Sequence, residues 1–555
     1  MSLPILAVSF LLILALGYRL YGGFVARRLG LDDARPTPAV AREDGVDFVP
    51  ARRFYLFGQH FSAIAAAGPI AGPILACQSF GWLPCLLWIG FGVIFIGAVH
   101  DFAALHGSVR HGGRSVAEMA REHLGVGAGR AMMAFIWIAL VYVILAFTDI
   151  TAGSFVSGSE ELQGERSFNP GGAVAAASAM YLGLSLLLGL VQRFLKPPLW
   201  LVTALFVPAV FALSWFGTQI SDFLLYDART WALVILAYCG LASVTPLWAL
   251  LQPRGYLGGF VLYSALAAGL LGVFFGGYEI AQPAFKTWDT GAPTGMLFPF
   301  LFVTIACGAC SGFHGLVCSG TTSKQLAQES HARVVGYGAM LGEAFVALIA
   351  VVTVAIVAQE DLAGKTPGRI YGEGIGRFLT ILLGPENLPF AITFGAMAFS
   401  TFVFDTLDVT TRLGRYLVQE LTGWRGRGGA VAGTLITLAP PALILGLGEP
   451  GAYQTFWALF GASNQLLAGL TLTVLTVWLA RGGGAGMRSA WFTLAPAVFL
   501  LTITLWALLS LLFSNLKAAA GLDLRAWNAV AAGLLVALAA AVVVGGARRL
   551  RHTHG

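Results

Sequence analysis

The chain has 555 residues, of which 57% are hydrophobic and only 11% charged, and its formal net charge is +6. Soluble domains carry about 25% charged residues, so this sequence has too few to cover a soluble surface, and the same apolar content excludes disorder. A polytopic membrane protein remains, and the surplus of Arg and Lys reads as cations retained on one membrane face rather than as a nucleic-acid surface.

A bilayer-spanning helix needs about 20 mostly apolar residues. Residues 3–18 form the first such stretch. No Lys or Arg precedes Arg19, so it reads as a retained span and not as a basic-led secretory signal. Residues 54–100 hold two spans with a turn near Gly81. Further spans are expected at 131–148, 167–192, 197–221, 230–253, 255–278, 290–323, 335–358 (interrupted by Glu343), 387–404, 428–448, 450–480, 489–516 and 526–547. That gives an all-α protein of about fifteen transmembrane helices. The longest polar pieces are 24–53 and 359–388, and Ser115 with Glu118 has the form of a capping box opening a short surface helix. With the N-terminus outside, 25 of the 33 Lys and Arg fall on inner loops, Arg254 among them, which sets the C-terminus in the cytoplasm. The six cysteines all lie in apolar stretches, which argues against a secreted disulfide framework.

Two spans contain breaks. In the second, Gly68-Pro69 and Gly72-Pro73 stand four residues apart. Proline removes a backbone donor and clashes with the preceding turn, so this helix should unwind there, and exposed backbone inside a membrane must line a protein-buried cavity. The seventh span carries Ser243-Val244-Thr245-Pro246. The two lie five spans apart and so run in opposite directions, the pattern of a five-plus-five inverted repeat with a discontinuous helix opening each half. Half-helix ends near the midplane offer amides to a carboxylate and carbonyls to a cation. Gly68, Pro69, Gly72 and Pro73, with Ser243, Thr245 and Pro246, are therefore the expected substrate-binding residues, and Gly68→Ala or Gly72→Ala should obstruct the solute.

The run FGQHFSAIAAAGPIAGPILACQSFGWLP resembles the opening of carbon-starvation protein A family transporters. VHDFAALHGSVRHGGRS, ASVTPLWALLQPRGYL, ACGACSGFHGLVCSGTTSKQ, TLDVTTRLGRY and WALFGASNQLLAGL continue the resemblance in order, from about residue 50 to 480. It implies a secondary transporter related to the amino acid–polyamine–organocation superfamily, with a LeuT-like core, taking up peptides or pyruvate across a prokaryotic inner membrane. The short tail after Arg551, and Cys310 and Cys318, depart from the family's pattern. The expected organisation is a first helix and cytoplasmic loop at 1–53, an inverted-repeat core at 54–425 and additional helices at 426–555.

Polar residues inside spans are the candidates for ion coupling. Ser311, near the middle of 290–323, could join carbonyls around Ala65 and Gly68 in a sodium site. His314 is a possible proton carrier or a hydrogen-bonded packing residue, and His60 divides the same way. Asp408 has Arg412 one turn on and suits a structural ion pair. Asp405 has no local partner and is the better proton candidate, with Glu343 as its mate or an independent relay. Cys307, His314 and Cys318 fall at i, i+7 and i+11, but 11 helical residues rise roughly 16 Å. Only Cys310, His314 and Cys318 could begin a metal site, and packing thiols are the plainer reading. His100-Asp101, His106 and His111 are placed at the inner end of the third span, as interface hydrogen bonders rather than metal ligands. Asn464 and Gln465 are expected to join helices.

No GxxxxGK[ST], HExxH or GxSxG motif occurs, so neither ATP-driven transport nor hydrolysis is expected, and no cofactor is implied. The leading function is an importer of small carboxylates, peptides or pyruvate, by alternating access, coupled to protons rather than sodium. Its partners are that substrate, a coupling cation and membrane lipids. A channel or nutrient sensor of the same fold, or an intramembrane enzyme, are the alternatives.

Overall fold

A computed structural model describes residues 2–44, 48–65, 67–156, 160–161, 167–448, 453–482, 487–519 and 523–551. Among the described residues the regular elements are helices, apart from a two-residue antiparallel pairing of Glu160–Glu161 with Ser167–Phe168. Among the described residues, twelve helices are long and apolar enough to cross a membrane, or thirteen if the bent pair Arg53–Ile64 and Gly68–Phe80 counts as one. The three remaining stretches of the expected fifteen are those where the helix is broken or short: that bent pair, the 17-residue Ala228–Val244, and residues 297–320.

The chain divides into two compact units, each assembled from three separate segments. The expected boundaries at 53 and 425 do not follow this division.

One unit comprises Met1–Ala7, Leu140–Pro283 and Leu348–Phe456. Its axis is the 35-residue helix Leu388–Thr422, whose faces are covered by Pro170–Phe194, Leu199–Gln219, Ala228–Val244, Leu251–Phe275, Pro367–Leu383 and Gly426–Leu447. Pro367–Leu383 lies in what the sequence presents as a polar outer loop, yet it is a helix packed along Leu388–Thr422. Gly368, Gly372 and Gly376 explain this. They stand at intervals of four on one helix face, and a Cβ on them would come within 2.7–2.8 Å of Phe399, Ala396 and Ile392 respectively. The stripe of small residues lets two backbones approach where lipid provides no hydrophobic drive.

The other unit comprises Val8–Ala139, Ala284–Ala347 and Trp457–Gly555. Its helices depart from regular geometry repeatedly. Gly17–Gly22, Val93–Gly97 and Arg333–Gly338 are π-helical, and Tyr337 Oη donates to the Ile94 carbonyl at 2.8 Å, satisfying a group that the widened turn releases. Between spans, Ser115 Oγ accepts from the Glu118 amide while Glu118 accepts from the Ser115 amide, completing the anticipated capping box of Val116–Leu124.

Candidate functional site

Within the second unit the chain leaves the helical path at two places. The first lies between Ile64 and Gly68, where the flanking helices bend by 46°. The unwinding precedes the Gly-Pro pairs rather than running through them. Pro69 falls in the first turn of Gly68–Phe80, where a missing N–H costs nothing, and Pro73 is carried inside that helix. Gly72 is not space for a solute. A methyl there would collide with the Thr304 carbonyl oxygen, so the glycine permits close contact between two backbones. The cost of Gly72→Ala therefore falls on packing. Thermal unfolding in detergent should show a loss of about 1–3 kcal/mol, and unchanged stability would mean that Thr304 does not lie against this helix.

The second departure corrects a reading of residues 290–323 as one continuous helix. Leu297–Thr304, Ala306–Ala309 and Gly312–Gly320 are separate, and Cys310 and Ser311 have extended backbone. The i, i+7, i+11 alignment of Cys307, His314 and Cys318 therefore does not exist in the fold. Free backbone groups in a membrane need partners from elsewhere, and Tyr453–Gly482 supplies them. Trp457 Nε1 donates to Thr304 O at 3.1 Å, Gln465 Nε2 to Phe302 O at 3.3 Å, and Asn464 Oδ1 accepts from the Phe313 amide at 2.9 Å. Asn464 Nδ2 also donates to Ser311 Oγ at 3.0 Å. The hydroxyl expected to hold sodium is thus engaged in joining helices.

Beside this break lies a line of buried ionisable groups. His314 Nδ1 is 2.9 Å from Asp101 Oδ2, and His314 Nε2 is 3.2 Å from Glu343 Oε2. The other oxygen of Asp101 meets His100 Nδ1 at 2.7 Å. All four residues are buried, and apart from the His314 contact neither oxygen of Glu343 has a hydrogen bond among the described residues. Asp101 is not at a helix end, because Trp82–Arg110 runs on unbroken past it. The sequence signal for it was an acid within an apolar stretch, the same one that singled out Asp405 and Glu343. A Cβ at Gly315 would lie 3.1 Å from the His100 ring, so that glycine sets how closely the two helices meet. His60 Nδ1 bonds Thr322 Oγ1 at 2.9 Å, and its Nε2 is 3.9 Å from Cys318 Sγ. With both His314 nitrogens facing carboxylates, Cys310, His314 and Cys318 form no metal-ligating group among the described residues.

The first unit holds a second ionic cluster. Ala228–Val244 ends at Thr245, whose extended backbone is what a following proline imposes. No half-helix of the same span follows. The chain turns through Pro246 and enters Leu251–Phe275, which carries Arg254. Thr245 Oγ1 donates to Leu241 O of its own helix, and Ser243 Oγ is 3.0 Å from Thr434 Oγ1, so both hydroxyls expected to bind substrate already have partners. Pro246 is exposed. Arg412 is not the partner of Asp408. Its Nη2 caps the carbonyls of Ala242 and Thr245 at 2.7 and 2.8 Å, and Arg415 Nη1 caps Ser243 O at 2.7 Å, a favourable use of cations at a helix C-terminus.

The cation that pairs with the aspartates is Arg254, which belongs to no loop and is fully buried. Its Nε lies 2.8 Å from Asp405 Oδ1, and its Nη1 contacts Asp408 Oδ2 and Tyr238 Oη. Tyr238 Oη also donates to Asp408 at 2.9 Å, and Tyr181 Oη holds the Arg254 carbonyl at 2.8 Å. Asp405 is thus partnered, with its side chain 20% exposed against 2% for Asp408. Asp405 belongs to the Arg254 cluster of the first unit and Glu343 to the His314 cluster of the second.

Twelve apolar helices, interrupted backbone satisfied by neighbouring helices, and buried clusters of charge define a multi-pass membrane protein that handles ions or polar solutes. Residues 1–368 and 359–507 match the family described as Carbon starvation protein CstA. The chain is 35% identical to the "Peptide transporter CstA" of Campylobacter jejuni, covering 90% of this chain and 79% of that protein. It is 31% identical to the "Pyruvate/proton symporter BtsT" of Escherichia coli, covering 90% and 80%. Among solved structures, a manganese transporter of Eremococcus coleocola aligns over 92% of this chain and 99% of its own, with 15% identity and a TM-score of 0.45. The chain belongs to the carbon starvation CstA family and is a membrane transporter, not an enzyme.

Proposed function

We propose that this chain imports a small carboxylate, a peptide or pyruvate, across a prokaryotic inner membrane by proton-coupled alternating access. The observation that carries the reading is the buried line His100–Asp101–His314–Glu343, set beside interrupted backbone inside one unit. A proton taken up at Glu343 would pass to or from His314, whose second nitrogen faces Asp101. Two relatives' names, a peptide transporter and a pyruvate/proton symporter, agree with a carboxylate-bearing cargo and with proton coupling. Protons are favoured over sodium because Ser311 is already held by Asn464. The substrate carboxylate would approach the Gly68 amide that opens Gly68–Phe80, where a helix N-terminus favours an anion, while Pro69 offers no donor. Asp405 would act as a second, more accessible acid, while Arg254 secures Asp408. The architecture that goes with this reading is a LeuT-like five-plus-five repeat whose second half lacks the discontinuous helix expected at Ser243–Pro246, with the N-terminus outside and the C-terminus in the cytoplasm.

Purified protein in proteoliposomes tests it. Labelled pyruvate or a dipeptide should accumulate against its gradient when an inward proton gradient is imposed, and a protonophore should abolish the accumulation. Uptake that merely equilibrates would point to a channel. Accumulation driven by sodium alone would overturn the proton assignment.

A further inference from the structure

Apart from the two buried clusters, the second unit brings a third set of ionisable side chains together where Ala98–Arg110 ends and Val116–Leu124 ends. His111 is the residue capping the C-terminus of the first helix, and Glu122 and His123 lie in the last turn of the second. One ligand atom from each of the three falls within 4.8 Å of the other two. The two imidazoles meet through their Nε2 atoms at 2.7 Å, with the rings edge to face.

The hydrogen bonds around this group decide what it can hold. His111 Nδ1 is 2.6 Å from the Gly107 carbonyl. A carbonyl only accepts, so Nδ1 carries the proton, and in the neutral ring His111 Nε2 then presents a lone pair. A ring N–H fixed on a backbone carbonyl, leaving the other nitrogen bare, is the outer support that metal-ligating histidines nearly always have. Two helix C-termini converge here, and their partial negative charge favours a cation. His111 and Glu122 also line a cavity of about 460 Å³ that leaves room for a further ligand, and its wall carries Arg35, Arg42, Arg110 and Arg114 beside Glu329. Arg114, on the same cavity wall, pairs with Glu122 and would compete for its carboxylate.

We propose that His111, Glu122 and His123 form a binding site for a divalent transition-metal cation of the zinc or cobalt class. Two imidazoles and one carboxylate, with one position left to water, are a donor set that suits Zn²⁺. When the ion binds, His123 moves its ring proton from Nε2 to Nδ1, so both Nε2 lone pairs reach the metal. No other proton needs to move.

Detergent-purified protein with its affinity tag removed should be titrated with Co²⁺, read by its visible absorption, and with Zn²⁺, read by calorimetry. Wild type should take up one equivalent saturably, with cobalt bands of four- or five-coordinate geometry. His111→Ala and His123→Ala should each weaken binding at least about tenfold, and Glu122→Gln should weaken it while retaining the histidine pair. His552→Ala with His554→Ala, which removes the imidazoles of the C-terminal His-Thr-His, should leave affinity unchanged. Unfolding temperatures of the variants separate loss of the site from loss of the fold. Absence of saturable binding in wild type overturns the proposal, as does wild-type affinity in both folded histidine variants. Transport of pyruvate or peptide plays no part in the readout, so failure here leaves the transport reading untouched.

Discussion

Glu343→Gln should abolish proton-driven accumulation of substrate while leaving exchange of labelled for unlabelled substrate intact. The side chain is fully buried, 3.2 Å from His314 Nε2, and its oxygens have no other hydrogen bond among the described residues. Glutamine keeps its size and a polar end but cannot carry a proton. A carrier deprived of its proton step can still alternate with substrate bound, so exchange survives and the accumulation ratio falls to one. Asp405→Asn supplies the comparison. Arg254 would keep Asp408 as a partner in that variant, so folding should persist. Proteoliposome uptake under an imposed pH gradient reads both variants. Wild-type accumulation in both would remove Glu343 and Asp405 from the relay and leave His314, with Asp101 beside it, as the remaining proton carrier.

Arg254→Ala should cost about 3–5 kcal/mol of stability, the usual consequence of removing one member of a buried ion cluster. The guanidinium is fully buried and contacts two carboxylates, so its loss leaves two like charges and a tyrosine hydroxyl without their cation. Arg254→Lys should recover only part of this, because an ammonium cannot reach Asp405 and Asp408 with a planar fork. Neutralising the acids as well, by Asp405→Asn and Asp408→Asn in the Arg254→Ala chain, should restore much of the loss, since the penalty lies in the unpaired charges. Thermal unfolding followed by tryptophan fluorescence in detergent would measure the series. An Arg254→Ala protein as stable as wild type, or no recovery in the triple variant, would mean that the cluster does not hold the fold together.

The sequence by itself determined the membrane character, most of the apolar helices, the presence of a break in the second span, though not its place before the Gly-Pro pairs, and the Ser115–Glu118 capping box. These depend on composition and on bonds between residues a few positions apart, so a local pattern contains them. It also pointed to His314, Glu343, Asp405 and Asp408, because an ionisable side chain in an apolar stretch stands out regardless of its partners. The stripe Gly368, Gly372, Gly376 was equally visible, but it lies among charged residues and so reads as loop.

Only the tertiary structure decided which charges meet. Asp408 has Arg412 one turn away, yet it pairs with Arg254, 154 positions earlier, while Arg412 closes the end of another helix. The i, i+4 rule offers one neighbour on a single helix, whereas packing offers every residue on the facing ones. The break at Cys310–Ser311 has the same origin. No proline marks it, because the backbone can leave the helix wherever a neighbour accepts its released groups, and that neighbour is Asn464, about 150 residues away in sequence. Thr304's contact with Gly72 likewise turned an apparent space for substrate into a packing contact. The pairing of a buried charge in this protein is set by non-local packing, since removal from water makes any unpartnered polar group costly and leaves the fold to find its partner.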